Sequence, residues 1–419
     1  MINKKKLSFI LFILFILFLT LSFFYLKKAR YENKWPFGSK MGYVIPASIK
    51  RVVYNLMTDD VSYIESHHYN IKKTYHQIPN HKFLNYGGAI EQLDDENILL
   101  ISSYGYINIF SLKSKKFTIN ESNLEGYESV RDIIIDHNKK ELHVIATYKL
   151  DEKCGTINFT KYNFEFLNDN FKLSNEELIW QSEKNCNFES KLSGARIVKI
   201  NGEYLLSTGI FQPPKRSGII DENWSQRLDS SFGKIIKIDK NNNASIFALG
   251  LRNPQGLFFA KNKGLIFGTD HGPKGGDEVN IINKEQNYGW PCTSYGKLYS
   301  KKINEEKDLY PSIETLKDKN CSNQINYKAP LYAFAKSQGI SQGFYYQAEH
   351  FKVFKENLIV STLKGKSIYR FLLNSNAERI ITMEKIEIGL RIRDIMATND
   401  GKILLTTDKG FLIIVEKNV

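Results

Sequence analysis

Two glycine- and proline-dense strings carry most of the chemistry in this 419-residue chain: Gly250-Leu251-Arg252-Asn253-Pro254-Gln255-Gly256 and Thr269-Asp270-His271-Gly272-Pro273-Lys274-Gly275-Gly276-Asp277-Glu278. A third, Asn287-Tyr288-Gly289-Trp290-Pro291, follows closely. Loops of this composition let backbone carbonyls approach a ligand, and carbonyl oxygens suit a hard cation such as Ca²⁺. Gly272 and Pro273 are the candidate metal ligands. Arg252, Lys364, Arg391 and Arg393 would add positive charge at a shared mouth, where guanidinium groups pair bidentately with carboxylates. Asp277 and Glu278 could order the loop or add to a metal site, although carboxylates beside so many glycines also cap turns.

The elements that must hold these loops read as strands. Short apolar runs bounded by Gly, Asn, Asp and Lys recur to the C-terminus, and long helical periodicity is hard to find. One unit repeats six times, an apolar run ending in Ser or Thr, with its terminal residue at Ser102, Thr147, Thr208, Thr269, Thr362 and Thr407. Successive spacings of 45, 61, 61, 93 and 45 residues approach the length of a four-stranded propeller blade, and the long gap marks an insertion between about 285 and 335. The expected fold is all-β, a six-bladed β-propeller over residues 46–419, each run being an inner strand buried between neighbouring blades. Closure of the ring calls for the last run, through Glu416, to share its blade with a strand from residues 40–100. A β-sandwich with accidental repetition is the alternative.

The strings around 250–296 resemble the RNPQG, EHGPRGGDE and NYGWP segments of the soluble quinoprotein glucose/sorbosone dehydrogenases, with Asp270 where that family usually has Glu. Leu363-Lys364-Gly365 and Arg391-Ile392-Arg393-Asp394 resemble its SLKG and RIRD elements, so the likeness spans at least 196–417. The resemblance implies pyrroloquinoline quinone (PQQ) and Ca²⁺ as cofactors and a sugar as substrate, oxidised at the anomeric carbon by hydride transfer to the quinone. It makes Arg252 the group that polarises the quinone carbonyl. Asn253, Lys364, Arg391 and Arg393 become cofactor contacts, and Gly272 and Pro273 the metal ligands. The tricarboxylated, dicarbonyl PQQ matches the cationic set read from the residues.

The pattern departs from the family where a base is needed. The family places its catalytic His four residues before the Arg of an H-x-[GS]-G-R string, and the equivalent here is Lys191-Leu192-Ser193-Gly194-Ala195-Arg196. Neither Lys191 nor Leu192 is that histidine, which leaves His271 and Lys191 as substitute candidates. A family Gln near the substrate is likewise not recovered in Tyr127-Glu128-Ser129-Val130-Arg131-Asp132. The rival expectation is a non-catalytic propeller that binds a sugar, glycan or protein.

Residues 7–26 are twenty residues without a charge, long enough as a helix to span a hydrocarbon layer of about 30 Å. They follow a short basic segment, 1–6, and lead into a polar linker, 27–45. Because the run ends without a small-x-small cleavage site, an uncleaved anchor is expected, with the propeller on the periplasmic or extracytoplasmic side. Cys154, Cys186, Cys292 and Cys321 lack CxxC spacing and allow three pairings, of which the two local ones, Cys154 with Cys186 and Cys292 with Cys321, are expected. Four reduced thiols in a cytosol-facing domain are the alternative. The formal net charge is +13, of which +6 lies in residues 1–34, and the rest is scattered, so nucleic acid is not an expected partner.

Overall fold

The Ser/Thr-ended runs become the second strands of six antiparallel sheets in a computed structural model that describes residues 61–66, 69–79, 88–152, 154–186, 193–211, 224–296, 321 and 326–418. The chain opens with β1 (Val61–Glu65) and β2 (Asn70–Gln77). Blade one is β3 (Gly88–Gln92), β4 (Asn97–Ser102), β5 (Tyr106–Ser111) and β6 (Phe117–Asn123); blade two is β7 (Tyr127–Asp136), β8 (Glu141–Lys149), β9 (Gly155–Leu167) and β10 (Asn170–Gln181). Blade three is β11 (Ile197–Ile200), β12 (Glu203–Thr208), β13 (Lys234–Ile238) and β14 (Ala244–Leu249); blade four is β15 (Pro254–Ala260), β16 (Leu265–Asp270), β17 (Asp277–Ile282) and β18 (Tyr332–Phe334). Blade five is β19 (Ile340–Tyr346), β20 (Asn357–Thr362), β21 (Ser367–Leu373) and β22 (Ile380–Glu387).

The sixth blade closes the ring. It takes β23 (Ile392–Ala397), β24 (Ile403–Thr407) and β25 (Phe411–Lys417) from the end of the chain, then β2 and β1 from near its beginning. The seam is the antiparallel pairing of β2 with β25, from Ile71 opposite Lys417 to Gln77 opposite Phe411. The molecule is therefore an all-β, six-bladed propeller. Among the described residues, helix is confined to two 3₁₀ turns, Trp224–Gln226 and Lys352–Phe354.

The second strands are continuously apolar because both of their faces are buried. Side chains alternate across a strand, so Ile98 and Leu100 of β4 pack towards blade six while Leu99 and Ile101 pack towards blade two. Leu358 and Val360 of β20 likewise join a cluster with blade four, and Ile359 one with blade six. Six such clusters fill the six gaps between blades. Each fully buried Leu, Ile or Phe in them contributes about 1.5–3 kcal/mol.

The first strands, β3, β7, β11, β15, β19 and β23, pack on one another around the axis. Antiparallel order puts the start of every first strand and the end of every second strand at one face of the ring. Disulfides join Cys154 to Cys186 and Cys292 to Cys321, the local pairing expected from the sequence. No helix among the described residues is long and apolar enough to cross a membrane, and residues 7–26 lie outside them, as do the linker 27–45 and residues 46–60.

Candidate functional site

All described site residues singled out in the sequence fall at the face where first strands begin and second strands end. Arg252 and Asn253 precede β15, His271 to Asp277 join β16 to β17, Lys364 follows β20, Arg391 precedes β23 and Arg393 lies within it. Lys191 lies outside the described residues.

The Arg252 loop is built from its own backbone outward. The Asp270 carboxylate accepts hydrogen bonds from the Arg252 N–H at 2.8 Å and the Asn253 N–H at 2.6 Å. Burial raises the Asp270 carboxyl to about 6 even against these two bonds and the nearby Arg252 charge. The Arg252 side chain, 4% exposed, donates from Nη1 to the carbonyls of His271 at 3.0 Å and Gly272 at 3.2 Å. Its guanidinium lies 5.2 Å from the centre of the Trp290 ring, a cation–π distance. The Asn287-Tyr288-Gly289-Trp290 string is held against this loop by Tyr288 N–H to Leu249 O and Trp290 N–H to Gly250 O, both 2.9 Å.

Asn253 serves as a clamp between loops. It is 2% exposed, and its Oδ1 accepts from Gly194 N–H at 2.9 Å and from Gln255 Nε2 at 3.0 Å. These two bonds occupy Oδ1, while Nδ2 points to the His271 ring. His271 is equally committed. Its Nε2 faces the Ile340 carbonyl, which can only accept, and its Nδ1 lies 3.5 Å from Asn253 Nδ2. Burial holds the imidazole pKa below its ordinary value, so the ring is neutral with the proton on Nε2. The Nδ1 lone pair faces the Asn253 amide at the long limit of a hydrogen bond.

Blades four, five and six are tied together here. Asp277 accepts Gly272 N–H at 3.1 Å on one oxygen, and Gln338 and Gly339 N–H, both at 2.7 Å, on the other. Its role is loop ordering. Leu363 N–H bonds Gly339 O at 2.7 Å, which sets exposed Lys364 beside the same turn, and Ser341 Oγ donates to Arg393 O at 2.6 Å. His271 Nε2 bonds the Ile340 carbonyl and the next residue, Ser341, bonds the Arg393 carbonyl, so main chains of blades four, five and six meet here. Arg391 and Arg393 straddle a carboxylate that the sequence reading overlooked: Arg391 Nε bonds Asp408 Oδ2 at 2.6 Å, and Arg393 Nε bonds Oδ1. One negative charge therefore offsets part of the expected positive field.

Four register shifts prepare the axis. In β7, β15, β19 and β23 the pairing skips Arg131, Gln255, Ser341-Gln342 and Arg393 respectively. A bulge residue is re-aimed from its strand, and Arg131, Gln255, Ser341 and Arg393 all line one narrow axial cleft with Arg196. Arg196 plugs the channel. Its Nη1 contacts Asp394 Oδ1 at 3.0 Å and Asp132 Oδ1 at 3.3 Å, Nε donates to Gln255 O at 2.8 Å, and Nη2 to Arg393 O at 3.2 Å. The other oxygen of each aspartate caps the following blade, from Ile197 N–H to Asp132 at 2.9 Å and from Ile90 N–H to Asp394 at 3.0 Å. The Arg-Asp dipeptide repeated at 131–132 and 393–394 was the sequence signal for these equivalent positions.

Two measurements test this construction. Gly276 has φ +69°, and an added Cβ would lie 2.2 Å from the Gly296 nitrogen and 2.5 Å from the Tyr295 carbonyl carbon. Gly276→Ala is therefore expected to destabilise the fold by about 1–3 kcal/mol in urea denaturation, and an unchanged midpoint would refute that tight packing. Burial and the neighbouring Asp270 raise the Glu278 carboxyl from 4.5 to about 8. The folded chain keeps a proton there that the unfolded chain releases, so this group's contribution is full below pH 4.5 and is lost as pH rises through 8. Glu278→Gln should flatten that decline between pH 5 and 8; parallel curves for the two proteins would contradict it.

The donor chemistry suits an anionic, carboxylate-bearing guest. Arg252 sits buried against Trp290, Arg391 keeps a side chain 36% exposed, and Lys364 is exposed. Among the described residues no group of three His, Cys, Asp or Glu side chains could hold a metal ion, so a cation here would rely on carbonyls. The Gly272 oxygen already accepts from Arg252, although a carbonyl carries a second lone pair.

A propeller with this loop set is the architecture of the Glucose / Sorbosone dehydrogenase family, whose sequence pattern matches residues 84–414, and the chain belongs to that family. Its relatives include aldose sugar dehydrogenase YliI of Escherichia coli, 28% identical over 204 residues, covering 44% of this chain and 51% of the relative. Quinoprotein glucose dehydrogenase B of Acinetobacter calcoaceticus is 25% identical over 201 residues, 38% of this chain and 41% of that one. The chain spans about half the length of the curated relatives it matches. Among solved structures, the apo-form of soluble aldose sugar dehydrogenase from Escherichia coli has a TM-score of 0.64 at 18% identity, covering 83% of this chain and 100% of the other. The PQQ-bound aldose sugar dehydrogenase of Streptomyces coelicolor has a TM-score of 0.59 at 16% identity, covering 83% and 98%. These two likenesses establish the shared fold.

Proposed function

We propose that this chain oxidises an aldose sugar at its anomeric carbon with PQQ and Ca²⁺ at the mouth formed by blades four to six. Supporting this reading is buried Arg252 on the His271-Gly272 loop, which Asp277 and His271 tie to the blade-five turn beside Lys364 and, through Ser341, to the strand that carries Arg393. Bound PQQ supplies a carbonyl-centred acceptor for the hydride and its two electrons. The chain's own residues bind and orient. Arg252 presents a fixed positive charge to a developing oxyanion, while Lys364, Arg391 and Arg393 pair with carboxylates. Asp270, Asn253 and Asp277 keep the loops from relaxing. Gly272 and Pro273 carbonyls would hold Ca²⁺, and the Gly272 oxygen also accepts from Arg252.

A second reading, a propeller that binds a sugar, glycan or protein without turnover, is favoured by one observation: Lys191-Leu192 stand where the family has its histidine. Titrating PQQ with Ca²⁺ into the full-length chain separates the two. Saturable absorbance change, a raised Tm and reduction of an artificial acceptor with an aldose support the enzyme. Binding without turnover supports the second reading, and no Tm shift at high PQQ sinks the first.

We also propose that residues 7–26 anchor the chain with its propeller on the extracytoplasmic side, a reading supported by the two disulfides. Protease accessibility of the propeller in cells with a permeabilised outer envelope tests it; full protection would reverse the orientation.

A further inference from the structure

At the end of the axial channel away from the Arg252 loops, beyond the Arg196 plug, all six first strands line a cavity of about 320 Å³. That lies at the lower end of the roughly 300–1,000 Å³ typical of ligand pockets. Its wall is apolar, with Ile133, Leu257, Phe258, Phe344, Ile395 and Met396, and its rim includes half-buried Ile134 and Lys199. Asp132 and Asp394 form part of the lining, but their oxygens are spent on Arg196 and on the backbone N–H groups of Ile197 and Ile90. Lys199 is held by Asp136 at 2.5 Å.

Glu91 differs from these groups. Its carboxyl lines the cavity with a backbone N–H of Gln92 beside it, and no basic side chain pairs with it among the described residues. Burial, with repulsion from Asp132 and Asp394 added, holds the group up to about 8. An arriving cation would remove that penalty, because an opposite charge favours the ionised carboxylate.

We propose that this cavity is a second binding site, for a small organic cation: an ammonium group borne on an apolar body, with its charge against Glu91 and its body against the isoleucine and phenylalanine wall. A bare inorganic ion would leave that wall unused, and no metal-holding side-chain cluster occurs among the described residues. The site is independent of the quinone reading, since Arg196 separates it from the opposite mouth.

Calorimetric titration of the full-length chain with 2-phenylethylamine, 2-phenylethanol and 3-phenylpropionate tests the proposal without PQQ or turnover. The amine should bind saturably, at least tenfold tighter than the alcohol, and the acid should not bind. Glu91→Gln should weaken the amine at least tenfold and leave the alcohol unchanged. Ile134→Trp, which fills the rim without touching the acids, should abolish binding of both. Absence of saturable binding by the amine, equal affinity for amine and alcohol, or undiminished amine binding in both variants would overturn the proposal.

Discussion

Arg252→Ala is expected to lower kcat by about 10²- to 10³-fold, the usual loss when one fixed donor to a developing negative charge is removed. The reason is the side chain's preorganisation. Nη1 is held by two backbone carbonyls and the guanidinium rests on Trp290, so the charge needs no reorganisation when the reaction demands it. The loop itself should persist in the variant, because Asp270 holds the N–H groups of residues 252 and 253 through the main chain. Turnover should therefore fall far more than Tm. Arg252→Lys restores a point charge but neither the planar fork nor the stacking, and should recover only part of the rate. Steady-state kinetics with a saturating aldose, alongside PQQ affinity, measures this; kcat within a factor of two of the parent would reduce Arg252 to a loop strut.

The largest stability effect is expected at Arg196→Met, about 3–5 kcal/mol in urea denaturation, because removing one partner strands buried opposite charges. Arg196 is 5% exposed and meets Asp132 and Asp394, themselves 5% and 3% exposed. The Asp394 and Asp132 charges outweigh burial and raise the Arg196 pKa, while burial already pushes Asp132 to about 7 with Arg196 present. Without Arg196 both aspartates would hold protons in the folded state that the unfolded chain gives up above about 4. The loss should accordingly be smaller at pH 5 than at pH 8. Adding Asp132→Asn and Asp394→Asn should return part of it. A change under 1 kcal/mol in the single variant would show that the plug is not a structural ion network.

The extent to which the molecule was legible follows from the range of each signal. The six apolar runs revealed the six blades because every second strand is buried on both faces, a demand that acts on consecutive residues. The local disulfides and the closing strand, which is β2, were accessible for similar reasons. The runs are second from the axis rather than innermost, since the first strands border a channel and carry Arg131, Asp132 and Asp394, with Arg196 immediately before β11. Asp408 was missed because nothing in Thr407-Asp408-Lys409-Gly410 distinguishes a turn acid from a partner of two arginines.

The amino-acid order alone determined the propeller class, the number of blades and the loops that bear cations, because strand patterning and loop composition are written over neighbouring positions. Only the tertiary structure decided that Asn253 and His271 face inward, that Asp408 binds Arg391 and Arg393, and that Arg196 divides the channel with Glu91 beyond it. Those outcomes depend on bulges that turn a side chain towards the axis and on contacts between residues as far apart as 196 and 394. A one-residue register shift reverses the direction of a side chain while leaving the apolar pattern intact.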